Sequence, residues 1–136
     1  MPGSRRLLSV VELGGYPDFT PLYRRLGYEV VGARSLRKAL GLLKGDPPDV
    51  VVSEFVYGPM YSTRISTLES LIAGMQRDAP SARLVVFFDP EHREHLERLR
   101  DHYGAFAALS FPIDPGRLES TLAGIGDEAV SPYGTT

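Results

Sequence analysis

The fold of this chain is decided by residues 48 to 54, which read Pro48-Asp49-Val50-Val51-Val52-Ser53-Glu54. The centre of this stretch is a short apolar run of three β-branched valines, with Pro47-Pro48 before it and Gly58-Pro59 after it. Such a run is typical of a strand that is covered on both faces, as in a parallel sheet. Glu54 stands at the carboxyl end of this strand, the edge where open α/β sheets usually bind ligands. Glu54 is therefore the first candidate site residue.

Composition narrows the class of protein. A chain of 136 residues can form one domain with a sizeable core, and 43% hydrophobic with 24% charged residues is ordinary for a globular protein. The net charge of -2 gives no electrostatic reason to expect nucleic acid, and no stretch approaches the ~20 apolar residues of a membrane span. The absence of cysteine excludes disulfides and thiolate metal sites. The apolar run after Arg5-Arg6 is too short for an export signal, so we expect a cytoplasmic protein.

Strand and helix patterns alternate along the rest of the chain. Glycines or prolines separate the apolar segments, and Ser35 and Asp89 are good N-caps for the helices that follow them. Strands are predicted over 7–13, 28–33, 83–88 and 105–110, and helices over 18–26, 36–44, 66–78, 91–103 and 117–125. This alternation predicts an α/β fold, a three-layer, doubly wound sheet of five parallel strands. We expect one domain over 1–126 and a polar, mobile tail over 127–136.

The order of the strands determines which residues meet at the edge of the sheet. In the flavodoxin-like order 2-1-3-4-5, the ligand crevice lies between the carboxyl ends of the first and third strands. This order brings Glu12, which ends the first predicted strand, close to Glu54.

The chain resembles the CheY-like receiver domain of two-component response regulators over about residues 5 to 126. The resemblance depends on the order of elements and on four local matches. Glu54 occupies the position of the phosphoacceptor aspartate in the motif quoted above. The other matches are Val10-Val11-Glu12 at the end of the first strand, Gly58-Pro59 beyond the acceptor, and Gly104-Ala105 with Phe111-Pro112 around the fifth strand.

The resemblance implies a chemistry that this chain does not retain. Receivers use an aspartate acceptor, an acidic pair that holds Mg²⁺, a hydroxyl after strand four, and a lysine and a switch aromatic on strand five. In the same order, the corresponding positions here are Glu54, Glu12 followed by Leu13, Phe88-Asp89, Phe111 and Ala108. Because a transferring phosphoryl group must be neutralised by metal and cation, phosphorelay chemistry is not expected. The resemblance thus implies a degenerate pseudo-receiver, a non-enzymatic signalling module without cofactor or metal.

The resemblance also implies where a protein partner would bind. The favoured surface is formed by the fourth helix, the fifth strand and the fifth helix (91–103, 105–110 and 117–125), through which a homodimer is also possible.

An aromatic loop after the central strand either folds back over the vacant acceptor pocket or contacts a partner. Its apolar residues are Phe55, Tyr57, Met60 and Tyr61. We expect Phe111 to fill the same pocket, replacing a cation with packing.

Several alternatives remain open at this point. Glu54 could accept phosphate in an atypical response regulator, or mimic a phosphorylated aspartate. Glu12, Glu54 and Asp89 could form a divalent-cation site, or stay apart as solvated acids. His92 and His95, three positions apart on one predicted helix, have a spacing that can hold zinc. A small-ligand sensor could use the crevice at the carboxyl ends of the first and third strands.

Overall fold

The computed structural model describes residues 5–11, 17–55, 67–103 and 106–127. Five parallel strands form one sheet in the order β2-β1-β3-β4-β5, which confirms the predicted order. The strands are β1 Arg5–Val10, β2 Tyr28–Ala33, β3 Val50–Glu54, β4 Arg83–Phe88 and β5 Ala107–Ser110. The helices are α1 Thr20–Arg25, α2 Leu36–Gly45, α3 Thr67–Asp78, α4 Arg93–Tyr103 and α5 Pro115–Asp127, with a 3-10 turn at Pro90–His92 before α4.

The central strand β3 is buried along its whole length, as the valine run predicts. Alternate side chains of a strand point to opposite faces of the sheet. Val51 therefore packs in one core with α2, α3 and α4, which we call the α2–α4 core. Val50 and Val52 pack in a second core with α1 and α5, which we call the α1–α5 core. The protein thus has the three layers that the sequence predicts.

The termini of α1 and α2 follow the sequence signals with one exception. Ser35 caps α2 as expected, since its hydroxyl accepts a hydrogen bond from the backbone N–H of Lys38 at 3.1 Å. Gly27 follows α1 with a φ of 97°, a left-handed conformation that favours glycine. The N-cap position of α1 is Phe19 rather than the predicted Asp18. Asp18 lies one residue before the N-cap, and its carboxylate accepts a hydrogen bond from the backbone N–H of Thr20 at 3.0 Å.

The division into a domain over 1–126 and a tail over 127–136 stays a prediction. The last helix, α5, begins at Pro115 and reaches Asp127. The remaining residues of the predicted tail, 128–136, lie outside the described residues. In the described part of the chain, no helix is long and apolar enough to cross a membrane.

Candidate functional site

A cleft of about 690 Å³ opens at the carboxyl ends of β1, β2 and β3, on the face of the sheet that carries α1. Small residues in neighbouring strands provide its space. Ser9 of β1 is in register with Gly32 on one side and with Val52 on the other. A Cβ atom added to Gly32 would meet nothing within 4 Å, so the sheet is open above this position. The cleft therefore lies at the crevice that the strand order predicts.

Aromatic side chains form one wall of the cleft. Phe19 and Phe87 meet edge to face there, with ring centroids 5.8 Å apart and planes at 76°. Tyr23 of α1 lines the same wall and is almost fully buried. Burial, with a smaller effect from the Asp18 carboxylate, raises the pKa of the Tyr23 hydroxyl far above its usual value. The hydroxyl therefore stays protonated at any physiological pH.

Glu54, the first candidate site residue, lines this cleft and is only 7% exposed. It stands on the same face of β3 as Val52, because alternation places both on the α1 side of the sheet. Next to it, the buried Ser53 hydroxyl donates a hydrogen bond to the backbone carbonyl of Glu54 at 3.2 Å. A buried carboxylate is costly unless other groups stabilise its charge, so Glu54 is a functional candidate rather than a solvated strand end.

Three cationic side chains line the same cleft, and the sequence patterns did not single them out. They are Arg24 of α1, Arg34 directly after β2, and Lys38 of α2. These cations line the cleft from α1, α2 and the residue after β2, whereas Phe111 stands at the strand-five position of the receiver lysine. Of the three, only Arg34 could have been proposed from the sequence as a site residue, because it directly follows the carboxyl end of the predicted strand 28–33.

Asp18 is the second carboxylate in the cleft, and it is exposed at the entrance to α1. Hydrogen bonds from the side chain and the backbone N–H of Thr20 lower the pKa of Asp18, and Arg24 adds a smaller attraction. The carboxylate is therefore ionised and tied to the backbone. The described lining then carries three cations against two carboxylates, Asp18 and Glu54.

Two expectations about apolar residues are corrected. Phe111 does not fill the acceptor pocket, because its side chain is 42% exposed and is not among the described residues that line the cleft. Phe55 is 3% exposed and packs in the α2–α4 core, on the face of β3 opposite to Glu54. It neither covers the cleft nor offers a surface to a partner. Ala108, at the position of the switch aromatic, is partly buried against the same core.

Asp89, the other acid of the predicted site, has a local structural role. Its carboxylate accepts the backbone N–H of Glu91 at 2.9 Å and so caps the 3-10 turn. The ring of Phe88, one residue earlier, is buried in the α2–α4 core with the guanidinium of Arg93 5.1 Å from its centroid. The end of β4 thus presents a buried ring and a capping carboxylate where receivers have a hydroxyl.

The remaining predicted site residues cannot be compared with the structure. Glu12, Tyr57, Met60 and Tyr61 lie outside the described residues, as do the Gly58-Pro59 and Gly104-Ala105 matches. Within the described residues, no group of three or more histidine, cysteine or acidic side chains could hold a metal ion. The rings of His92 and His95 are neighbours, with centroids 6.4 Å apart, but the described part supplies no third ligand. The acidic cluster with Glu12 stays a prediction.

With the sheet order and the cleft established, comparison with known proteins defines the fold. No family model matches the chain, and no curated protein matches it. Solved structures do. A receiver-domain protein from Clostridium thermocellum gives a TM-score of 0.71 at 16% identity, over 91% of this chain and 95% of that one. A CheY-like receiver protein from Methanospirillum hungatei gives 0.69 at 16% identity, over 91% and 94%.

A third example is the chemotaxis protein CheY4 of Vibrio cholerae, with a TM-score of 0.64 at 22% identity over 88% of this chain and 96% of that one. The architecture is therefore a doubly wound α/β sheet of the flavodoxin type. Within this class, the fold is that of the response-regulator receiver domain, as the sequence motifs indicated. Identities this low establish the fold and leave the function to be argued from the site.

Proposed function

We propose that this chain is a signal-transduction module, a pseudo-receiver that acts through protein contacts and does not accept a phosphoryl group. The observation that carries the proposal is the exposed Phe111 at the position of the receiver lysine. A phenyl ring carries no charge, so this position cannot neutralise the oxygens of a transferring phosphoryl group. The proposal retains the expectation of a cytoplasmic protein.

Other positions of the receiver chemistry support the same proposal. The end of β4 carries Phe88 and the capping Asp89 in place of a hydroxyl donor. Ala108 lacks the ring that reports phosphorylation in receivers by changing rotamer. Because each of these losses removes an interaction made to the phosphoryl group or to its readout, their effects on phosphoryl transfer accumulate. The described cations of the cleft come from α1, α2 and the residue after β2, and not from β5.

The partner surface of this proposal is the face formed by α4, β5 and α5. The outer side of α4 is strongly charged, with an exposed pair between Arg98 and Glu94 at 3.8 Å and a partly buried Arg100 that pairs with Glu97 at 3.7 Å. Its apolar anchors, Leu96 and Leu99, are buried in the α2–α4 core and are not available for contacts. A partner on this face therefore meets charges, and it is either a protein of the same pathway or a second copy of this chain.

A covalent phosphorylation assay tests the proposal. The chain is incubated with acetyl phosphate and Mg²⁺, and its intact mass is measured beside that of an active receiver domain in the same tube. We expect the added phosphoryl mass on the control receiver alone. An Mg²⁺-dependent adduct on this chain that is lost in Glu54→Gln overturns the proposal and establishes Glu54 as an acceptor. Light scattering over a concentration series, with Glu97→Arg as a variant on α4, then distinguishes a self-associating module from one that needs a separate partner.

A further inference from the structure

We propose that the cleft between α1 and the carboxyl ends of β1 to β3 binds a phosphorylated small molecule. Its phosphate lies against Arg24, Arg34 and Lys38, and an amino or hydroxyl group of the same molecule donates to Glu54. This inference goes beyond the signalling role, and it concerns reversible binding rather than phosphoryl transfer.

The size and shape of the cleft suit a small organic molecule. Its volume of about 690 Å³ falls within the range of roughly 300–1,000 Å³ that is usual for such sites. Val52 and Phe87 provide apolar surface, while the small residues Ser9 and Gly32 leave room above the sheet. An apolar wall with a few convergent polar groups is the usual composition of a ligand site.

The three cations make the mouth of the cleft suited to an anion. Arg24 of α1, Arg34 after β2 and Lys38 of α2 are all exposed, and all three line the cleft. Within the described residues, no ion pair within 4 Å joins any of the three to an acidic side chain. Asp18 attracts Arg24 only at longer range. Arginine and lysine together are the side chains that most often bind phosphate oxygens.

Glu54 determines the chemistry required at the inner end of the cleft. A carboxylate has two oxygens that accept hydrogen bonds, and Glu54 lines the cleft at only 7% exposure. N–H or O–H groups are therefore the ligand groups that suit this position. The cleft thus has two unlike ends, with an exposed cationic mouth and a buried acceptor. Nucleoside monophosphates and sugar phosphates both carry a phosphate at one end and donor groups at the other.

Calorimetric titration of the full chain tests this inference, in buffer that contains EDTA so that metal-dependent phosphorylation plays no part. The probes are adenosine monophosphate, glucose 6-phosphate, adenosine and inorganic phosphate. We expect one of the two phosphorylated probes to bind with a dissociation constant below about 1 mM, and adenosine at least about tenfold more weakly. The relative affinities of the nucleotide and the sugar phosphate decide which of the two sources the cleft takes.

Charge reversal provides a matched pair of variants. Lys38→Glu and Arg37→Glu change the net charge equally at neighbouring exposed positions of α2, but Arg37 does not line the cleft. We expect Lys38→Glu to weaken the best probe by about tenfold and Arg37→Glu by less than about twofold. Equal losses in the two variants overturn the inference, because they indicate attraction by net charge alone. The absence of binding by every phosphorylated probe overturns it as well.

A conservative variant tests the role of Glu54 separately. Glu54→Gln keeps the size of the side chain but removes the charge and one of its acceptor oxygens. We expect this variant to lose at least about fivefold in affinity for the best organic phosphate, while inorganic phosphate binds no more weakly than before. Unchanged binding of the organic phosphate contradicts the assignment of Glu54. A circular-dichroism melt of each variant shows that it is folded at the temperature of titration.

Discussion

The carboxylate of Asp49 accepts a hydrogen bond from the backbone N–H of Arg6 at 2.8 Å, between residues that are 43 positions apart. The backbone N–H of Asp49 in turn donates to the carbonyl of Arg6 at 2.9 Å, and the N–H of Arg83 donates to the carbonyl of Asp49 at 3.0 Å. One residue therefore joins the amino ends of β1, β3 and β4. The aspartate that opens the central motif has a structural role at the edge of the sheet opposite to the cleft.

Removal of the Asp49 side chain should therefore weaken the fold without affecting the cleft. We expect Asp49→Ala to lower the free energy of unfolding by about 1–2 kcal/mol, since a hydrogen bond to a charged acceptor is lost. Urea unfolding followed by circular dichroism measures this change. Asp101→Ala, an exposed position on α4, is the control and should stay within about 0.5 kcal/mol of the wild type. Equal stability of the two variants would show that the Asp49 contact contributes nothing.

Two helical glycines should respond in opposite ways to the same substitution. A Cβ added to Gly74 of α3 would overlap the Cδ2 atom of Leu40 and stand 3.5 Å from Leu43 of α2, whereas one added to Gly41 of α2 meets nothing within 4 Å. We expect Gly74→Ala to lower the free energy of unfolding by about 1 kcal/mol, because overpacking outweighs the better helix propensity. Gly41→Ala should raise it by about 0.5–1 kcal/mol. A stabilised Gly74→Ala protein would show that Leu40 moves aside easily.

The sequence was sufficient for the fold because the relevant signals are local. The valine run of β3, the Ser35 cap and the glycine after α1 each report the conformation of a few residues. The backbone N–H of Phe55 donates to the carbonyl of Phe87 at 2.8 Å, so the hydrogen bonding of β3 continues to this residue. Alternation along the strand then places Phe55 on the face opposite to Glu54. The interpretation of Phe55 as a loop residue overlooked this continuation.

The cleft could not be derived in the same way. Arg24, Arg34 and Lys38 belong to three elements, and their convergence depends on the rotation of two helices about their axes. A motif search that follows the receiver chemistry looks for a cation at the end of β5 and finds Phe111. The sequence does not say whether the Phe111 ring points into a pocket or to solvent, because this depends on the backbone conformation after β5. There the N–H of Phe111 donates to the carbonyl of Phe88 at 2.8 Å.

The Asp18 carboxylate should make stability at the entrance to α1 depend on pH. Hydrogen bonds from Thr20 lower the pKa of Asp18 in the folded chain below its value in the unfolded chain. The stabilisation is therefore fully present above the unfolded pKa, near 4, and is lost as the pH falls through the folded pKa. We expect Thr20→Val to raise the pKa of Asp18 towards its ordinary value. A carboxyl ¹³C titration by NMR, on the wild type and on Thr20→Val, measures the shift. An unchanged pKa in Thr20→Val would assign the effect to the backbone N–H alone.

The exposure of Phe111 predicts that this position tolerates a charge. A ring that is 42% exposed gains only part of the free energy of a buried one, so we expect Phe111→Lys to lower the free energy of unfolding by less than about 2 kcal/mol. Phe55→Lys, at a position only 3% exposed, should cost at least about 4 kcal/mol, because a cation would enter the α2–α4 core. Urea unfolding of the two variants measures the difference. A loss above about 2 kcal/mol in Phe111→Lys would show that the ring packs as a substitute for the receiver lysine. If Phe111→Lys stays folded, it can be incubated with acetyl phosphate and Mg²⁺, and its intact mass measured. We expect no phosphoryl adduct, because the lysine alone restores neither the hydroxyl after β4 nor the aspartate acceptor.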